Sequence, residues 1–228
     1  MLLLISSLLL MSCGADKYMK KGEKFLALGE YYDAADQFKQ AYTRTPAKER
    51  DTRGKRALKM AQCYQRINAT PKAIAAYRNA IRYNQASKED QLAYARQLLK
   101  NGDYRQAEKV FLMLKDSMPG NQLVANGLKS AQMAPEWKKQ GSRYIVKRMD
   151  VFNSRRHDYS PVLFGDDYDQ LYFTSTRNEA LGDELSGITG TKAGDIFLSE
   201  KDDRGKWSKP EAIGTGLNTD YDEGACCF

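Results

Sequence analysis

Across residues 61–119 the chain repeats itself with a period of 34: Ala61 returns as Ala95, Ala73 as Ala107 and Tyr77 as Phe111. A further copy lies upstream at an offset of 39, where Gly22, Ala34 and Phe38 take the same places. The five extra residues fall in the polar connection AKERDTRGK. A period of this length marks one supersecondary unit that cannot bury its apolar face alone and must stack on its neighbours. The residue types say how. Gly22, Ala61 and Ala95 are small because two helices cross there, and Ala34, Ala73 and Ala107 answer them from the second helix. Phe38, Tyr77 and Phe111 then fill the space between hairpins. Gly29 and Gly102 suit the turns, and Pro46 and Pro119 stop the second helices.

The run GEKFLALGEYYDAADQFKQAYTRTP and its two later copies resemble the tetratricopeptide repeat, a helix–turn–helix unit of 34 residues. The resemblance implies an α-solenoid whose concave surface binds protein segments. NQLVANGLKSAQMA reads as the capping helix at its end. In some of these repeats paired Lys and Asn residues clamp a peptide's terminal carboxylate. Here Met19 and Glu23 hold those positions in the first copy, so no such clamp is expected. Lys55, Gln62, Gln65 and Arg96, basic and amide residues of the first helices, are the candidate partner-binding residues.

From about Arg143 the helical period stops. RYIVKRMDVF alternates and is rich in β-formers, which predicts a strand. SPVLF, QLYFTST, GDIFLSE and WSKPEAI follow as short segments separated by Gly, Asp, Asn or Pro, which predicts one four-stranded antiparallel sheet. EKDDRGKW reads as a hairpin connection, with Gly205 placed for positive φ. DYSPVLF at 158–164 aligns with DEGACCF at 222–228, an offset of 64, which predicts a first unit and the start of a second within residues 142–228. These segments resemble the WD40-like, Asp-Ser-Pro-type (PD40) propeller repeat, whose four-stranded blades ring a central channel. A single blade leaves its edges exposed. The expectation is therefore that the natural protein continues past Phe228.

At the amino terminus Met1–Met11 is apolar except for Ser6 and Ser7. That is signal-peptide length and short of the roughly 20 residues a membrane-spanning helix needs. Leu10, Met11 and Ser12 before Cys13 resemble a bacterial lipobox, although the basic residues usual at such a start are missing. The resemblance implies removal of residues 1–12 and attachment of a diacylglycerol to the Cys13 thiol. Cys63, Cys226 and Cys227 remain, with no C-x-x-C spacing, so neither a zinc site nor a disulfide framework is expected.

Charge divides the chain. Residues 14–141 hold 25 Lys and Arg against 13 Asp and Glu, a balance of +12, and residues 142–228 carry −5. In an exported protein a basic half points to an acidic protein or to anionic headgroups rather than to nucleic acid. Catalytic signals are thin. His157 is the only histidine, which leaves no multi-histidine metal site. GDDYD lacks the calcium-loop spacing and reads as a solvated turn, and GITGTKAGD lacks both nucleotide-binding glycine spacings. No cofactor and no metal are expected.

The fold class read here is α+β and multidomain: a tetratricopeptide α-solenoid over 13–141, then the start of an antiparallel propeller over 142–228, with about one blade present. The order of lipobox, repeats and PD40 sequence resembles PorE-like envelope lipoproteins of Bacteroidetes, linked to type IX secretion. It implies a non-enzymatic scaffold on the periplasmic face of the outer membrane, with other envelope proteins as partners. In that group an OmpA-like carboxy-terminal domain grips peptidoglycan, and nothing here matches it. The alternative is a propeller-bearing hydrolase or a Tol-like envelope protein whose functional domain lies beyond Phe228.

Overall fold

The structure is a computed structural model that describes the backbone of residues 2–227 and the side chains of residues 14–227. It comprises a helical unit, Met1–Arg143, and a β unit, Tyr144–Phe228. The expectation for the Cys13 thiol lies outside the described side chains. No described helix is long and apolar enough to cross a membrane.

The helical unit is a tetratricopeptide-like solenoid of α1 (Leu2–Leu28), α2 (Tyr31–Arg44), α3 (Arg50–Arg66), α4 (Thr70–Arg82), α5 (Lys88–Asn101), α6 (Tyr104–Ser117) and α7 (Gln122–Gln140). Helices α1 to α6 pair as three hairpins, and α7 covers the last by packing on α6 and α5. The turns follow the repeat. Gly29 and Gly102 sit in the left-handed region at φ 80° and 84°, and Asn68, φ 57°, fills the same place in the middle hairpin. Asn tolerates that conformation better than other side chains do. Helix α2 ends at extended Thr45, as expected before Pro46, because proline disfavours helical backbone in its predecessor.

Packing matches the spacing argument. Ala34, Ala61, Ala73, Ala95 and Ala107 are fully buried, and so are Phe38, Tyr77 and Phe111 between the hairpins. The approach at Gly22 is close: a Cβ there would stand 2.6 Å from the Phe38 ring. Each such aromatic contributes about 1.5–3 kcal/mol by leaving water, so three of them dominate a stack of thin hairpins. Helix α7 starts at the expected Asn121, whose Oδ1 accepts the N–H groups of Leu123 and Val124 at 3.0 and 3.3 Å.

The β unit is an antiparallel meander of β1 (Asp158–Phe164), β2 (Gln170–Ser175), β3 (Asp195–Glu200) and β4 (Glu211–Ala212), in the order β1-β2-β3-β4. Strand β1 shifts register between Tyr159 and Val162, where Ser160 has φ 53° and Pro161 follows. A bulge is where a strand accommodates proline. The hairpin connection forms as expected, with Gly205 at φ 74° and the Asp202 carboxylate accepting the N–H groups of Arg204 and Lys206.

Two expectations need correction. RYIVKRMDVF is not a strand: residues 143–157 contain none, and Ile145 and Val146 are 85% and 92% exposed. Alternation alone does not make a strand, because its N–H and C=O groups need a partner ladder. The chain instead turns at Met149, whose carbonyl accepts the N–H of Phe152. WSKPEAI shortens to the two residues Glu211–Ala212, directly after Pro210, which has no N–H to give a ladder. Residues 222–227, aligned with β1 by sequence, also form no strand.

Candidate functional site

The first helices of the repeats, α1, α3 and α5, are joined by side chains. Lys59 on α3 pairs with Glu23 on α1 at 3.2 Å. Gln62 on α3 donates to Asp90 Oδ1 on α5 at 3.1 Å. Lys100 on α5 donates to Asn68 of the preceding turn at 2.6 Å. Asp90 is held from two sides. Its other oxygen accepts the Ser87 N–H at 3.0 Å while its own N–H donates to Ser87 Oγ at 3.1 Å, a capping box that starts α5. Helix geometry thus fixes the carboxylate that α3 reaches for.

Where α3 faces α5 there is a cleft of about 400 Å³, walled by Gln62, Gln65, Arg66, Tyr77, Glu89 and Asp90 among others. The Tyr77 hydroxyl donates to Gln65 Oε1 at 2.6 Å. Burial pushes the Tyr77 phenol up, and Asp90 adds to it, so the hydroxyl stays a donor. Arg66 is the exposed cation of the wall, and Glu89 and Asp90 supply its acidic side. Such a wall offers amide, cation and carboxylate groups to an extended peptide, which carries donors and acceptors of both kinds.

The four residues singled out in the sequence divide. Gln62 and Gln65 line this cleft, each holding one internal hydrogen bond. Lys55 on α3 and Arg96 on α5 are exposed but stand outside its walls. Glu23, at a clamp position, is engaged by Lys59. Sequence reasoning missed Asp90, Glu89 and Arg66. The Ser87-x-x-Asp90 spacing was the available signal for Asp90.

Elsewhere the described residues hold little reactive chemistry. Burial pushes the Cys63 thiol up to about 11, so it stays protonated at neutral pH and is no nucleophile. Cys226 and Cys227 are free. His157 is exposed, and GDDYD forms an exposed turn in which the Tyr168 N–H donates to Gly165 O. Among the described residues no three His, Cys, Asp or Glu side chains are placed to hold a metal ion.

The β unit is organised on one buried ion pair that the sequence did not disclose. Arg177 binds Asp158 at 2.9 Å, both side chains being less than a tenth exposed. Its guanidinium also donates to Ser175 Oγ and to Phe152 O, and lies over the Phe173 and Phe197 rings. Burial pulls Asp158 upward, but hydrogen bonds from Ser175, Ser154 and Arg177 outweigh it and hold the carboxyl below its usual range. A second buried carboxyl behaves oppositely. Asp195 accepts the Leu181 N–H through Oδ2, while its Oδ1 and Glu223 Oε2 are buried without a partner. Burial, with Glu223 alongside, raises Asp195.

No protein-family profile matches the chain, and no curated protein matches it. Solved structures similar to it include tetratricopeptide domains. The first such domain of Spaghetti (RPAP3), bound to the HSP90 peptide SRMEEVD, is 18% identical with a TM-score of 0.45, over 55% of this chain and 96% of that one. The C-terminal domain of an FK506-binding protein from Plasmodium falciparum is 15% identical with a TM-score of 0.48, over 57% and 94%. The Sgt2 domain from Aspergillus fumigatus is 19% identical with a TM-score of 0.43, over 60% and 88%. The helical unit has the tetratricopeptide-repeat fold. Its stacked hairpins and their 34-residue register define that fold, and the likenesses concern the fold alone.

Proposed function

We propose that this chain is a docking scaffold of the bacterial cell envelope with no catalysis of its own. The solenoid seats a protein segment in the cleft between α3 and α5, and the β unit is the first blade of a PD40-type propeller. The observation that carries the docking role is the cleft itself, in which Gln62, Gln65, Arg66, Glu89 and Asp90 line about 400 Å³. The meander order and the bulge in DYSP support the blade reading. Attachment through Cys13 at the periplasmic face of the outer membrane, and a place in type IX secretion, rest on the order of apolar run, repeats and PD40 sequence.

Docking is tested in the full chain by Arg66→Glu, titrated beside the parent against a panel of envelope-protein peptides. Peptides that bind the parent and lose roughly tenfold with the variant, at unchanged helicity, support it. If the panel binds neither protein, or both equally, the cleft is not a docking site. Attachment has its own test. Cys13→Ser leaves the protein in the soluble fraction if acylation is the anchor, and unchanged in the membrane fraction if it is not.

A further inference from the structure

The repeat register gives each side chain of a first helix two counterparts, and at one set of positions the first hairpin departs from the others. On α3, Arg56, Lys59, Met60 and Cys63 face the preceding hairpin. Arg56 reaches Asp16, Ala41 O and Thr45, and Lys59 reaches Glu23. On α5 the counterparts are Asp90, Ala93, Tyr94 and Gln97, of which Asp90 binds Gln62 of the preceding hairpin and Tyr94 and Gln97 are buried. Counting back by the same offset of 39 lands on Lys17, Lys20, Lys21 and Lys24 of α1.

All four lysines are exposed and, together with Asp16, line one surface concavity. Their spacing of three, four and seven residues puts them on one helical face. None takes part in an ion pair among the described residues. Asp16 does not offset them, because Arg56 already holds it. A solenoid face left in water must be polar, and a mixture of charges satisfies that need. Four cations and no free anion exceed it.

What lies beside this face selects the partner. Helix α1 is continuous over Leu2–Leu28, and residues 1–11 are apolar apart from Ser6 and Ser7. At about 1.5 Å per residue, Lys17 lies roughly 6 Å and Lys24 roughly 16 Å along the axis from Cys13. Lys17 therefore sits within the roughly 8–10 Å over which charge is felt at physiological salt, and Lys20 at its edge. A helix tilted toward the surface brings in the rest. We infer that Lys17, Lys20, Lys21 and Lys24 form a docking face for anionic lipid headgroups, orienting the solenoid on the membrane beside its amino terminus. The inference rests on the proposed membrane location, through the apolar run of residues 1–11 that continues into α1, and not on acylation of Cys13.

The test uses the full chain carrying Cys13→Ser, so that no acyl chain contributes, and flotation with vesicles of phosphatidylcholine alone or with a third of phosphatidylglycerol. The neutral vesicles report whatever the apolar run contributes. One variant replaces all four lysines by Gln, and a second replaces all four by Arg. At low salt the preference for anionic vesicles is expected to fall about fivefold per lysine removed, so several hundredfold in the Gln variant, with the Arg variant unchanged. Half-molar salt is expected to abolish the parent's preference. Equal binding of parent and Gln variant to anionic vesicles overturns the inference. So does loss in both variants, which makes charge irrelevant. If the Gln variant instead self-associates while its vesicle binding is unchanged, the lysines only keep this face from stacking on another molecule, and the lipid role is wrong.

Discussion

Arg177 shows how much one side chain carries in the β unit. It joins β1 to the end of β2 through Asp158 and Ser175 and lies over two core rings. Removing one member of a buried ion pair leaves the other's charge uncompensated, which costs about 3–5 kcal/mol. Arg177→Met is therefore expected to lower the urea midpoint of the β signal steeply while the helical signal keeps its own midpoint. The two buried carboxyls set the pH response. Asp158 is held low, so its contribution is present above the ordinary carboxylate pKa and is lost as pH falls through its depressed value. Asp195 is raised, so its contribution is present at low pH and is lost as pH rises through its elevated value. The parent is expected to lose β-unit stability as pH rises from the ordinary aspartate value through the raised one of Asp195. Asp195→Asn keeps an acceptor for the Leu181 N–H and is expected to remove that slope in unfolding curves collected across the range. An unchanged slope would assign it to another group. Neither residue was legible as a site. Asp158 and Arg177 are 19 positions apart, and only the β1–β2 register brings them together.

At the scale of elements, crossings governed by small residues are the vulnerable points. Ala73 is fully buried on α4. Ala73→Leu puts three more carbons into a close-packed helix crossing, where overpacking costs about 1–3 kcal/mol. Urea unfolding followed by far-ultraviolet circular dichroism checks this; no change in midpoint means the stack yields there. These positions were readable from spacing because a helix crossing demands a small residue whatever surrounds it. The strand predicted for RYIVKRMDVF failed for the converse reason. β-formers in alternation state a preference, and the ladder partner that satisfies it is supplied, or withheld, by the rest of the fold. Proline before Glu211 cut β4 short by the same accounting of backbone donors.

For the whole molecule, the division at Arg143 and Tyr144 predicts that the units unfold independently. A chain ending at Gln140 is expected to keep the helical spectrum and melting midpoint of the intact protein; a mostly β or unfolded spectrum would refute the solenoid as a self-sufficient unit. The amino-acid sequence is enough to establish a solenoid, the number of hairpins it stacks and the residues at its crossings. Those features rest on contacts between residues near in the chain, repeated at one period, so local preference and packing agree. It also determined the sign of the charge on each half. Where that charge is displayed depends on how the helices pack. The cleft is mixed, with Arg66 against Glu89 and Asp90, while four lysines crowd the face of α1 that the stack leaves in water. A count of charges cannot distinguish these arrangements, because burial and pairing depend on which helix face meets a neighbour. That is settled when the hairpins pack, as when Arg56 pairs with the Asp16 that lies beside the lysines.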